Sequence, residues 1–290
     1  MIEKKLLVYT NELLKLQKAL ILNNIHAIYL KGVIQYFALT NKWPSKIPVD
    51  IDTLIPPDSF SRVSRILRSL GYSMHLPYKS PAVRPQTSFV KTHALMPIVC
   101  DVHNQIFFPT KYIFNVLPPK LVKQITMEFI NRAKTISFQN QKFRILGPED
   151  MLLHQCLNFF FHHSCRNSHQ INDIALIIKR ANINWETILA RLSLWNLKEF
   201  AYYPLLLAKQ ISKAKVSNFV LKKLKPKSLL AFLTPLFINS RTVTSPIKNM
   251  HIRFRYNIFL RFLITDQSIL QKIQSIFLLI IFPTRIRTKE

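Results

Sequence analysis

An α+β fold in two parts is what this 290-residue sequence predicts, on three observations. Through about residue 145, short β-prone runs alternate with amphipathic helical patterns. Gly147-Pro148-Glu149-Asp150 then reads as a helix start, with proline early and acids in the first turn. Beyond it the apolar spacing stays helical to about residue 282. Neither a long linker nor an internal repeat intervenes. The expected division is therefore residues 1–145, mixed, and 146–290, helical with a basic C-terminal region.

The elements follow in order. Leu6, Leu7, Leu13 and Leu14, with Glu12 and Lys15 between, form an amphipathic first helix rather than the unbroken apolar core of a signal peptide. His26 to Leu30 is a short β-prone run, and Val33 to Leu39 reads as helix. Val49 to Ile55 is a strand bounded by Pro48 and by Pro56-Pro57. Phe60, Val63, Ile66, Leu67 and Leu70 make one helical face that Gly71 ends. Ser88 to Ala94 and Ile98 to Phe108 read as strands joined at Met96-Pro97, and Thr135 to Ile145 as a hairpin around Gln139-Asn140.

Composition excludes several functions. Glycine occurs three times, at Gly32, Gly71 and Gly147, which removes the P-loop and the Rossmann fingerprint. The longest unbroken apolar stretch, Ile276 to Phe282, is far short of the ~20 residues that span a bilayer. Cys100, Cys156 and Cys165 form an odd set with no CxxC pair, which predicts a reduced, cytoplasmic protein. Lys and Arg outnumber Asp and Glu by 41 to 14, a net charge of +27 that favours polyanionic partners.

In a chain so poor in acid, each carboxylate position is informative. Asp50 and Asp52 lie two apart in an apolar strand, so period two puts both on one face. Like charges ~5–7 Å apart repel unless a cation neutralises them, and the spacing suits oxygen ligation of Mg²⁺. Between Asp58 and Glu128 the single acid is Asp101, itself inside the β-prone run Ile98 to His103. A lone strand aspartate is costly to bury without a partner; a metal shared with Asp50 and Asp52 would supply one, and so equally would one of the many Lys or Arg side chains. By the same period, His103 faces the side that Asp101 faces. Upstream, a strand ends in Lys31-Gly32 and a helix begins, which is the make-up of a phosphate site.

The order Lys31-Gly32, Asp50-Ile51-Asp52, Leu70-Gly71-Tyr72 and Asp101-Val102-His103 resembles the DNA polymerase β-type nucleotidyltransferase superfamily. More narrowly it is similar to a family of largely uncharacterised bacterial nucleotidyltransferases. The resemblance spans about residues 20–200, is strongest at 29–54, and continues through Leu146 to His154 and Asp173 to Leu176. It implies a small mixed β-sheet backed by helices. It also implies Asp50, Asp52 and Asp101 as catalytic, metal-binding residues for Mg²⁺ or Mn²⁺, and Lys31 with Gly32 as nucleotide-binding. The implied reaction moves a nucleoside monophosphate from an NTP donor to a hydroxyl or phosphate acceptor. Two positions depart from the pattern: Pro48-Val49 stand where the family usually has an Arg, and Asn158 stands for a helix His.

His154, Cys156, His162, His163, Cys165 and His169 crowd sixteen residues without the spacing of a zinc site. From Ala201 to Thr265 there are twelve Lys or Arg and no acid, densest at Lys222, Lys223, Lys225 and Lys227. Aromatics interleave with base from His251 to Tyr256. Two alternatives follow from this basic surface. One is an inactive protein of the same fold that binds nucleic acid. The other is peripheral contact with an anionic membrane through residues 250–290.

Overall fold

The computed structural model describes residues 2–44, 50–75, 86–107, 117–247 and 249–266, with isolated positions to 273. The first residue of the expected 49–55 strand, and an apolar helix expected to run to 282, lie outside the described residues. By internal packing the chain divides into two compact units. One comprises Met1–Phe108 with Val122–Gly147, and the other Pro109–Leu121 with Pro148–Glu290.

The first unit is a mixed sheet with helices. In chain order its elements are α1 (Ile2–Leu22), β1 (Ile28–Tyr29), α2 (Gly32–Thr40), β2 (Asp50–Leu54), α3 (Phe60–Ser69), β3 (Ser73–His75), β4 (Gln86–Lys91), β5 (Ile98–His103), α4 (Pro119–Arg132), β6 (Lys134–Phe138) and β7 (Gln141–Ile145). The seven strands run β3-β4-β5-β2-β1-β7-β6. The pairs β2–β5 and β1–β7 are parallel and the rest antiparallel, so the fold is α+β with a mixed sheet. The hairpin β6–β7 turns at Gln139 and Asn140, both in the left-handed region at φ 47° and 60°, as a two-residue turn requires.

Packing corrects two local expectations. On α1 the buried stripe is Tyr9, Leu13, Leu16 and Leu20, at helical spacing, while Leu7 is 61% exposed. The expected strand ending at Phe108 stops at His103, because Ile106 turns back to α4, where its N–H donates to Thr126 Oγ1 at 3.0 Å. The sheet core is aromatic: Tyr29 and Phe143 meet edge-on at 5.0 Å, and Phe37 and Phe138 at 4.9 Å.

One buried charge ties α1 to the sheet. Glu12 is 5% exposed, and Lys91 of β4 reaches its Oε2 at 2.8 Å, with Lys15 on Oε1 at 3.2 Å. The Tyr72 hydroxyl also donates to it at 3.3 Å. Burial pushes this carboxyl up, but the hydrogen bonds and charges of Lys91 and Lys15 bring it below the ordinary glutamate value. A lowered carboxyl adds stability above its unfolded pKa and loses that contribution as pH falls through the folded value. Glu12→Ala strands Lys91 beside the sheet and is expected to cost roughly 2–3 kcal/mol, less than the ~3–5 kcal/mol of a fully buried pair, because Lys91 keeps some solvent. Urea melts at neutral pH measure this loss, and the gap to wild type should narrow toward pH 4.

The second unit is helical: α5 (Pro148–Phe161), α6 (Ser168–Arg180), α7 (Trp185–Leu194), α8 (Lys198–Ser212), α9 (Asn218–Leu224), a 3₁₀ segment (Leu229–Leu236), α10 (Ser240–Val243) and α11 (Met250–Ile264). Side chains of Asn167, Asn184 and Ser217 cap three of these helices. Phe160 and Phe161 both pack on Phe200, at 5.0 and 4.9 Å. Cys156, Cys165 and His154 of the sixteen-residue cluster are buried, and all three cysteines of the chain are free thiols.

Candidate active site

The site begins with strand pairing. β2 and β5 run parallel with Asp52 opposite Asp101, and paired residues on adjacent strands share a face. Asp50, two positions before Asp52, lies on that face as well. Ligand oxygens of Asp50, Asp52 and Asp101 all fall within 4.8 Å of one another. Among the described residues this is the single group of three or more His, Cys, Asp or Glu side chains arranged to hold a metal ion. The sixteen-residue His and Cys cluster contributes no second one.

Each aspartate is held by a neighbour. On β4, Gln86 Nε2 donates to Asp101 Oδ2 at 2.7 Å, from the position two residues before the partner of Asp101. On β5, His103 Nε2 lies 3.0 Å from Asp52 Oδ1. The Tyr9 hydroxyl donates to the Asp50 carbonyl at 2.8 Å and fixes the start of β2. At the other end of the site, the Leu30 N–H donates to the Asp52 carbonyl at 3.0 Å. The chain then turns at Gly32, whose φ of 78° is in the region glycine favours, and α2 starts. That turn brings Lys31 Nζ to 3.4 Å from Asp52 Oδ2.

The electrostatics are those of crowded carboxylates under partial burial. Asp52 and Asp101 are 3% and 8% exposed. The Asp50 carboxyl is pushed up to about 6, first by burial and then by the charge of Asp52, with Lys31 opposing. Burial alone would push the Lys31 ammonium down, but the charges of Asp52 and Asp50 outweigh it and the group ends above its ordinary value. Asp101 Oδ1 is buried and accepts no hydrogen bond among the described residues. An orphaned carboxylate oxygen, facing two more carboxylates through hard oxygen donors, fits a divalent cation of the Mg²⁺ kind.

The structure thus brings Asp50, Asp52, Asp101 and Lys31 together, with Gly32 in the adjoining turn. His103 joins them, on the face that its spacing from Asp101 predicts. Gln86 was missed, because the sequence suggests a strand only from Ser88; a polar residue before a β-prone run gives no signal of its own. Asn158 belongs to the second unit.

A family model described as "Uncharacterised nucleotidyltransferase" matches residues 1–212. No curated protein matches the chain. Among solved structures, the chain is similar to an antigenic nucleotidyltransferase-like protein from Paracoccidioides brasiliensis, at 15% identity and a TM-score of 0.38, over 62% of this chain and 84% of that one.

Proposed function

The chain belongs to this family of uncharacterised nucleotidyltransferases, and from that premise we propose that it is a Mg²⁺- or Mn²⁺-dependent enzyme. It moves a nucleoside monophosphate from an NTP to a hydroxyl or phosphate acceptor. The observation that carries the reading is the meeting of three strand-borne aspartates within 4.8 Å, one with a buried oxygen that has no donor among the described residues. When bound, divalent cations supply charge neutralisation at the phosphates and acidify the acceptor hydroxyl.

In the reaction, the acceptor oxygen attacks the α-phosphorus, the bond from that phosphorus to the β-phosphate oxygen breaks, and pyrophosphate leaves. Asp50, Asp52 and Asp101 would hold the divalent cations, and the Asp101 carboxylate would take the acceptor's proton. Lys31 and the Gly32 N–H, at the opening of α2, face the triphosphate with an ammonium and a helix N-terminus. His103 keeps Asp52 in one rotamer through its 3.0 Å contact, and Gln86 does the same for Asp101 at 2.7 Å. Cytoplasm, where NTP is plentiful and thiols stay reduced, is the compartment this reading assigns.

The test is incubation of the chain with each labelled NTP, Mg²⁺ and a cell extract. A labelled product and released pyrophosphate are expected, both abolished by EDTA. A chain that labels no component and binds no NTP in the presence of Mg²⁺ sinks the proposal.

A further inference from the structure

The acid-free stretch from Ala201 to Thr265 carries charge that the proposed reaction does not use. Its densest part is also where the chain exposes apolar side chains. Lys222 and Lys223, in the last turn of α9, and Lys225 and Lys227 after it, are all exposed. The 3₁₀ segment Leu229–Leu236 follows at once, reads Leu-Leu-Ala-Phe-Leu-Thr-Pro-Leu, and contains no charge. Three residues per turn stack Leu229, Phe232 and Pro235 on one face. That face points outward: Leu229 is 88% exposed and Phe232 74%, the two highest values for large apolar side chains among the described residues. Leu236 beside them is 69% exposed, and Phe219 on α9 is 63% exposed with the Lys223 ammonium 5.5 Å from its ring centre.

The ridge is mounted on the unit. Thr234, on its inner side, is fully buried. Ser228 Oγ accepts from the Leu230 N–H at 3.3 Å and from Lys272 Nζ at 2.9 Å. Behind its end, the Tyr256 hydroxyl donates to the Phe237 carbonyl at 2.5 Å, and Phe237 packs edge-on against Phe259 at 4.8 Å. A fixed apolar ridge beside four lysines has the make-up of an interfacial membrane contact, where apolar side chains enter the acyl boundary and ammonium groups meet lipid phosphates.

The side chains favour lipid over nucleic acid. Leu229 and Leu236, unlike Phe219 and Phe232 beside them, offer no π face for a base to stack on. From Leu192 to Ser240 the basic residues are all lysine, with no guanidinium for bidentate phosphate or base contacts. We propose that the face formed by Leu229, Phe232 and Leu236, with Lys222, Lys223, Lys225 and Lys227, docks on an anionic lipid bilayer. It lies ahead of the 250–290 stretch in which the sequence suggests membrane contact, and it stands independently of the nucleotidyl-transfer reading.

The experiment is co-sedimentation of the full chain with vesicles of phosphatidylcholine alone or mixed with phosphatidylglycerol, at physiological salt. Binding is expected to the mixed vesicles and not to the neutral ones. Leu229→Ser with Phe232→Ser, both exposed, is expected to leave the thermal melt unchanged and weaken vesicle binding by roughly tenfold. Lys222→Glu with Lys223→Glu should weaken it by a similar factor. Failure to bind mixed vesicles overturns the proposal. So does undiminished binding by the Leu229→Ser, Phe232→Ser variant, which means that charge alone attracts. Binding of a short single-stranded oligonucleotide in place of vesicles makes the surface a nucleic-acid face and overturns it equally.

Discussion

Asp101→Asn is expected to cut pyrophosphate release by at least about 10³-fold while the protein stays folded. The substitution keeps the size and shape of the side chain, so the effect isolates its charge. Gln86 Nε2 can still donate to the remaining oxygen, in the position Oδ2 holds now at 2.7 Å. The new amide occupies the place of the buried Oδ1, which accepts nothing among the described residues, so no existing bond is lost there. Removing one of three crowded negative charges also relieves repulsion. Stability in EDTA should therefore be unchanged or higher. An aspartate whose role is a structural ion pair behaves oppositely, and its loss costs about 3–5 kcal/mol. Steady-state rates with and without Mg²⁺, beside thermal melts, separate the two cases. A folded Asp101→Asn enzyme within about tenfold of wild type would mean that Asp101 does no chemistry.

The sequence signal for this site was strong where the physics is local. Asp50 and Asp52 share a strand, so period two alone puts them on one face, and the prolines around residues 49–55 mark the strand as short. The hairpin at Gln139-Asn140 was legible because two consecutive residues there must tolerate positive φ, and Asn does so at low cost. Long-range pairing was not legible. β5 lies beside β2 although β3 and β4 intervene in the chain, and no periodicity encodes that order. The meeting of Asp101 with Asp52 is therefore signalled only by the resemblance and by the oddity of a lone strand acid, not by spacing. α4 is not legible either: Val122, Ile125, Thr126 and Phe129 are buried at helical spacing, but three of those four are β-branched and weaken the helical signal. The Lys31–Asp52 pair was also hidden, because it depends on the Gly32 turn folding the lysine back over β2.

Asp50→Asn is expected to raise the melting temperature of the metal-free protein and to reverse that order when Mg²⁺ is added. The Asp50 carboxyl is carried from 3.8 to about 6, by burial first and by Asp52 second, so the folded state resists its ionisation. Between those two values the folded chain holds a proton that the unfolded chain has released. Stability therefore falls as pH rises across that window, and the loss is complete above it. The full displacement corresponds to at most about 3 kcal/mol at neutral pH, and solvent at this partly exposed side chain reduces the expected figure to roughly 1–2 kcal/mol. That is a gain of about 2–5 °C for the Asn variant in EDTA at pH 7.5. Near pH 4 the gain should vanish, because wild-type Asp50 is then protonated in the folded state. Metal inverts the comparison. A cation neutralises the three carboxylates and stabilises wild type by mass action, while the variant has lost a ligand and responds less. Melts of both proteins across pH 4–7.5, with EDTA or with Mg²⁺, read all three expectations. A variant that melts below wild type in EDTA at pH 7.5 would identify Asp50 as a structural partner of Lys31, and the crowded carboxylates would then be no metal site.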